Sequence, residues 1–460
     1  MSLARQFVTR LESLLGADRV LSGDEALATF AVNGTFPEAV VRPASAEEVS
    51  AVVRYAAEEK LALIAHGSRS KSDMGMPPMR YDIAVDMSGI REIAHYDAAD
   101  LTLSVDAGMP LRDLAGHLAE KRQFLPLAVP CFEASTAGGA VASGIDSALR
   151  LQYGTARDFL IGAEFVDGNG NLCKSGGRVV KNVSGYDLHK LLIGSLGTLG
   201  MITRLNFRTF PLPEVSAGHL AGFKSEEEAL RYRRAIENAG LPFANLELLS
   251  PEVAAIMAAI LRREALAIPD ALAGEGWLVY ASFEGNAAVV QRISRDLEKL
   301  AADFDAPGAA LLGTDENDAV GGMLREAFEW LRWASPAAVL FRISNLTWSA
   351  SELHKLSELA ANALLRCGLL LRVAGILYFA VFAENEDAGT LATLEALSAH
   401  VFRQSAATGS SVAMLHAPAL LRSKINSWSE TRADFSLMQK VKTAFDPSAI
   451  FSPGRFAGGI

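Results

Sequence analysis

The chain is poor in the side chains that hold metals or build disulfide frameworks. It carries 3 cysteines and 8 histidines in 460 residues. Cys131, Cys173 and Cys367 are widely spaced and odd in number, which fits reduced thiols in a cytoplasm and offers no metal cluster. No two histidines fall at ligand spacing on one expected element, so no metal site is expected. No run of eighteen or more apolar residues occurs, and no membrane span is expected. A formal net charge of -10 argues against a nucleic-acid binder, which usually shows a basic stripe. Charges interrupt the apolar residues of MSLARQFVTRLESLLGADRV, so this start reads as an amphipathic helix and not a signal peptide. There is no internal repeat and no low-complexity tract. Half the residues are hydrophobic and 21% are charged, the balance of a folded protein with room for two or three domains.

Glycine, in contrast, is concentrated. Between Ser175 and Thr203 it stands at 176, 177, 185, 194, 197 and 200, the last three recurring every third residue between apolar runs. Glycine lets a backbone approach another backbone or a ligand closely, but tight turns and helix–strand packing produce the same pattern. Upstream, Ser45 and Glu48 form a capping box before a helical run of valines and alanines. The strand at 61–65 then opens into HGSRSKSDMGMPP, at 66–78. A strand followed by a small-residue loop gathers backbone N–H groups into an anion-binding nest, with Arg69 and Lys71 adding positive charge; the same loop also reads as merely solvated. Strands are expected at 82–87, 101–106 and 159–166, with a helix from about Pro110 and a hairpin turn at Asp167-Gly168-Asn169-Gly170. Between them, Thr136, Gly138, Gly139, Ser143 and Gly144 place small side chains and free N–H groups along one line.

Four pieces in order, HGSRSK, STAGG with ASG behind it, YGTARD and VKNVSGYDLHKLLIGSLGTLGMIT, resemble the FAD-binding domain of the vanillyl-alcohol oxidase and p-cresol methylhydroxylase superfamily. Within it they are most similar to the FAD-binding subunits of bacterial glycolate oxidases. The likeness covers about residues 35–212 and returns at FDPSAIFSPGR. The resemblance implies an α+β fold: two α+β lobes with extended FAD between them, and a cap that takes the substrate. It implies pyrophosphate donors at Gly67, Ser68, Arg69 and Ser70, a flat approach for the flavin ring at Gly138, Gly139 and Gly144, and cofactor contacts at Thr136 and Ser143. It also implies cofactor contacts at Gly154, and backbone against the adenine end around Gly200 and Ile202. Asp158 reads either as a ligand-side acceptor or as a partner for Arg157. Arg455 reads either as a neighbour of the reduced flavin or as an interdomain salt bridge. His66 stands where noncovalent relatives usually carry arginine, so FAD is expected to be noncovalent.

Phe210-Pro211-Leu212-Pro213 marks a boundary. The expected domains are an N-terminal helical arm at 1–34, an FAD-binding domain at 35–212, a cap at 213–440 and a returning segment at 441–460. In the cap, capping boxes at Ser225 and Ser349 alternate with strands, and 369–382 reads as a hairpin about Gly375. This predicts an antiparallel sheet with helices on one face. The cap lacks the His-Gly-Asp-Gly-Asn-x-x-His-like motif of metal-assisted relatives. Arg342 and Arg372, among apolar strand residues, need partners: a substrate carboxylate or an internal one. They are the catalytic candidates; no general base is identified. His189 and His416 read as ordinary polar residues, and Trp330, Trp333, Trp348 and Trp428 as core. The resemblance implies a small-molecule substrate, a 2-hydroxy acid oxidised to a 2-oxo acid, with electrons passed on. The implied partners are a second flavoprotein subunit and an iron–sulfur subunit. The implied location is the cytoplasm, reaching the inner membrane only through partners. The alternatives are an FAD-binding assembly subunit with little catalysis, or an oxidase of another alcohol or sugar.

Overall fold

The helix Ala46–Glu59 starts on Ser45, whose hydroxyl accepts the Glu48 N–H at 3.2 Å, and stops at Lys60 in the left-handed region. Its buried face, Val49, Val52, Val53 and Ala56, packs on three parallel strands, Ala39–Val41, Ile83–Asp86 and Leu63–His66. Strands covered by helices read as continuous apolar runs, as AVV and the IAV that precedes Asp86 do. A short antiparallel strand, Val20–Leu21, completes this sheet, and Leu11 and Leu15 of the helix Leu3–Leu15 join its core. The computed structural model describes residues 3–178, 185–264, 274, 276–306, 308–345, 347–431 and 433–460. The Lys181-Asn182 part of the glycine stretch lies outside them.

A second lobe follows. Its five strands run antiparallel in the order Ile93–Asp97, Thr102–Asp106, Met201–Arg208, Leu160–Val166, Leu172–Gly176. Leu103, Val105, Ala163, Phe165, Leu205 and Phe207 build a core with the helices Leu111–Ala119 and Ala137–Ser143. The hairpin at 167–170 is made by Asp167, whose carboxylate accepts the N–H groups of Asn169 and Asn171 at 2.9 Å each.

These lobes belong to one compact unit, residues 1–146, 155–212 and 426–460; a second unit comprises 147–154 and 213–425. The return to the first unit therefore begins at Asn426, earlier than the expected 441. Its last part bridges the edge strand Leu63–His66: the Leu63 N–H donates to the Ile450 carbonyl at 2.8 Å and the Ser452 N–H to the Leu63 carbonyl at 2.9 Å. Ile450 and Phe451 are fully buried. Buried Lys442 donates to Asp446 at 2.7 Å and to the carbonyls of Thr198 at 2.8 Å and Phe451 at 3.0 Å. The chain end is thereby tied to the Gly194–Gly200 stretch.

The second unit holds an eight-stranded antiparallel sheet. Its order is Ala310–Leu312, Val215–Phe223, Trp277–Gly285, Asn245–Leu249, Arg366–Arg372, Ile376–Ala383, Ala337–Ser344, Ser411–His416. The hairpin turns through Ala374 and Gly375, both at positive φ. Alternate residues such as Leu248, Phe341, Leu371 and Phe379 face a core made with the helices Glu226–Asn238, Ala287–Asp303, Ala350–Asn362 and Ala388–Ala407. The expectation of helices on one face is corrected here. The opposite face carries Glu247, Tyr280 and Arg372, each at most 2% exposed. Polar groups so deep need covering partners. The helix Thr314–Arg325 supplies them: Tyr280 Oη donates to Asn317 Oδ1 at 2.8 Å and Arg372 Nη2 to the Leu324 carbonyl at 2.9 Å. Trp333, expected in the core, is 67% exposed. It stands just past the helix Ala327–Arg332, its indole N–H donating to Glu329 at 3.0 Å.

Candidate functional site

The strand Leu63–His66 delivers the chain into a tight loop whose third residue, Arg69, is in the left-handed region at φ 67°. Among the described residues, no protein acceptor meets the N–H groups of Ser68, Arg69 and Ser70. Successive N–H groups around a left-handed residue form a concave anion-binding nest. The Ser72 N–H closes the loop on the Arg69 carbonyl at 3.2 Å. At Gly67 the loop touches Thr136, and a Cβ there would overlap the Thr136 hydroxyl.

Thr136 caps the helix Ala137–Ser143, accepting the Gly139 N–H at 3.2 Å. The free N–H groups expected along this wall are already used: Ala137 donates to the Met109 carbonyl at 2.9 Å and Gly138 to the Ala107 carbonyl at 2.8 Å. The wall contributes small side chains, and the donors come from the loop opposite. At the far end of the helix, a Cβ on Gly144 would lie 2.6 Å from Gly194 Cα. The N–H groups of Gly194 and Leu196 donate to the carbonyls of Val141 and Ala142, each at 2.9 Å, which brings the glycine stretch alongside.

These segments line a cavity that opens to solvent. Of the residues expected to hold the cofactor, Gly67, Ser68, Arg69, Ser70, Thr136, Gly138, Gly139, Ser143, Gly200, Ile202 and Arg455 line it. Three do not. Gly144 packs on Gly194 instead. Gly154 ends the short helix Arg150–Tyr153 in the second unit. Asp158 accepts the N–H and hydroxyl of Thr155 at 2.7 and 3.1 Å, closing a capping box that Thr-x-x-Asp spells locally. The candidates Arg342 and Arg372 belong to the cap sheet. Arg372 Nε donates to Glu247 at 2.7 Å, so its partner is the internal carboxylate. Arg342, paired in register with Tyr378, shares that face of the sheet and is half-buried.

The cavity is electropositive. The Arg69 guanidinium lies 4.4 Å above the Phe30 ring. Lys71 donates to Ser135 and, at 3.3 Å, to Ser70. Arg455 is 4% exposed and its Nη2 donates to the carbonyls of Ser72 and Met74 at 2.5 and 2.6 Å. It is thus bound within its own unit, where the sequence left an interdomain salt bridge open. No carboxylate is among the lining residues. His66, which also lines the cavity, is buried; burial, with Arg455 and Arg69 nearby, lowers its pKa to about 3. The imidazole is therefore neutral, and the positive charge comes from the two arginines and the lysine.

A nest with three nearby cations suits a diphosphate, and the wall of small side chains suits a flat ring system. With the two-lobed fold, these features define a flavin-dependent oxidoreductase. Residues 37–176 match the FAD binding domain family and residues 212–456 match the C-terminal domain of the FAD linked oxidases. The chain belongs to the FAD-linked oxidase family. It is 23% identical to glycolate oxidase subunit GlcD of Bacillus subtilis over 92% of this chain and 89% of that one. It is 36% identical to glycolate oxidase subunit GlcE of Escherichia coli over 36% of this chain and 47% of that one. Among solved structures, p-cresol methylhydroxylase with substrate bound superposes with a TM-score of 0.78 at 18% identity, over 98% of this chain and 96% of that one. Among the described residues, no helix is long and apolar enough to cross a membrane, and no group of three or more His, Cys, Asp or Glu is placed to hold a metal ion.

The cofactor is FAD, bound noncovalently. Acid or heat denaturation is expected to release all flavin into the supernatant, read by its absorbance; flavin left on the polypeptide would contradict this. Gly67→Ala is expected to weaken FAD binding about tenfold or more. The added methyl displaces the Thr136 hydroxyl, and overpacking costs about 1–3 kcal/mol. Titration of the apoprotein by flavin fluorescence measures the effect.

Proposed function

We propose that this chain oxidises a 2-hydroxy acid to a 2-oxo acid and passes the electrons to a partner protein. The observation that carries the reading is the match to a glycolate oxidase subunit along nearly the whole of both chains. Bound FAD supplies the hydride acceptor, and the protein supplies binding and orientation. In this reading the Ser68, Arg69 and Ser70 N–H groups hold the diphosphate, with Lys71 and Arg455 balancing its charge. Gly138, Gly139 and Ser143 keep one side of the flavin free of bulk. Gly200 and Ile202 lie along the adenine half. Arg342 is the proposed contact for the substrate carboxylate, which a guanidinium can hold through two parallel hydrogen bonds.

A second reading is supported by the likeness to glycolate oxidase subunit GlcE: an FAD-bearing subunit with little turnover of its own. In either case the partners would be a second flavoprotein and an iron–sulfur protein. Anaerobic addition of glycolate or of either lactate enantiomer to the FAD-loaded chain decides between the readings. Bleaching of the flavin absorbance, with turnover once a dye acceptor is added, is the expected result. An oxidised spectrum with all three substrates would reject the catalytic reading and leave the second.

A further inference from the structure

We propose that His66 is a positioning residue for the diphosphate nest, through a one-way hydrogen-bond relay that runs from Ser72 through His66 and Tyr81 to the Phe30 carbonyl and fixes both ends of loop 66–72. The proposal rests on the FAD reading of the cavity.

Counting protons sets the direction of the relay. Tyr81 has one hydroxyl proton, and it is donated to the Phe30 carbonyl at 2.9 Å. His66 Nε2 lies 2.6 Å from the same oxygen, so the proton between them belongs to the histidine. A neutral imidazole with its proton on Nε2 has a bare Nδ1. That nitrogen lies 3.2 Å from Ser72 Oγ, and only the serine can donate across this gap. A doubly protonated ring would reverse the last link. Burial, with Arg455 and Arg69 facing the ring, disfavours it.

The relay acts on the nest because its members sit at the loop's two ends. His66 is the last residue of the strand that feeds the loop, and Ser72 is where the loop closes. Ser72 is held three ways: its hydroxyl by His66, its N–H by the Arg69 carbonyl and its carbonyl by Arg455. Phe30 reinforces the arrangement from outside, its ring edge-on to His66 at 5.4 Å and stacked beneath the Arg69 guanidinium. With both ends held, the three unpartnered N–H groups between them have one direction to face.

The test uses the full-length chain, FAD and ADP, which carries the diphosphate without the flavin. Ser72→Ala should weaken both ligands about tenfold, the size of one lost hydrogen bond, and Ser72→Thr, which keeps the hydroxyl, should return affinity to within about threefold of the parent. In ¹⁵N-histidine-labelled protein, His66 should show a protonated Nε2 and a bare Nδ1, unchanged from pH 5 to 8. An Nδ1-protonated ring, or a His66 that titrates near 6.5, would overturn the relay. So would undiminished ADP and FAD affinity in Ser72→Ala, or failure of Ser72→Thr to restore it. A parent chain that binds neither ligand would instead reject the FAD reading. Should Ser72→Ala not fold, the tautomer of the parent still decides the relay.

Discussion

Arg372→Met is expected to lower the stability of the second unit by about 3–5 kcal/mol at pH 8, the cost of stranding a buried charge. Glu247 is fully buried on the covered face of the sheet, and Arg372 meets it at 2.7 Å. Burial already raises the Glu247 pKa, and Arg372 is the strongest of the influences opposing that rise. Without the arginine, the folded-state pKa climbs further, while the unfolded chain keeps an ordinary value near 4.3. Between those two values the folded state binds more protons than the unfolded one, so stability falls as pH rises. The deficit of the variant should therefore shrink toward pH 5, where Glu247 takes up a proton and is buried neutral. Urea unfolding followed by tryptophan fluorescence suits the measurement, because Trp277, Trp330, Trp333 and Trp348 all lie in this unit. A loss below about 1 kcal/mol, or one equal at pH 5 and pH 8, would show that the pair does not carry this charge.

Deleting residues 445–460 is expected to abolish FAD retention through gel filtration and to destabilise the first unit by several kcal/mol. The deletion removes Ile450 and Phe451, both fully buried, and such side chains contribute about 1.5–3 kcal/mol each. It exposes the Leu63 edge, deprives buried Lys442 of Asp446, and takes away Arg455, which holds the Ser72 and Met74 carbonyls. Asp446→Asn is the milder change: the lysine keeps its two carbonyl acceptors, while the opposite charge and one of the two carboxylate oxygens that accept the Ile450 and Phe451 N–H groups at 3.1 and 2.8 Å are lost, so a smaller loss with FAD retained is expected. Full FAD content in the truncated chain would show that the segment is dispensable.

What the sequence disclosed was local or motif-sized. Ser45, Ser225 and Ser349 each cap a helix through a residue three positions on, and the same short range makes the turn of Asp167 readable. The loop after His66 was legible as a nest because strand-then-glycine is a neighbourly pattern. Contacts across long separations were not. Nothing near Arg372 in the chain points to Glu247, 125 residues away, and nothing near Gly67 announces that Thr136 presses on it. The small residues around Gly138 looked like donors because their N–H partners, the carbonyls of Ala107 and Met109, lie in a different segment. Asp158 is a different case: its capping pattern was present in the sequence, in competition with a ligand role at the same position.

The cofactor unit is interrupted by the cap residues 213–425 and resumes at Asn426. During synthesis, a ribosome that has reached Ile425 has already made the nest, the Thr136 wall and the glycine stretch, but neither the bridge to Leu63 nor the Arg455 clamp. The cap sheet, entirely antiparallel, is then available to fold while its neighbour waits for a segment hundreds of residues downstream of its first strand. Such long-range closure is slow, and domains tend to fold as they emerge. Closure of the first unit thus waits for residues 426–460, and a polypeptide released before Arg455 is made would lack both the bridge to Leu63 and the hold on the Ser72 and Met74 carbonyls.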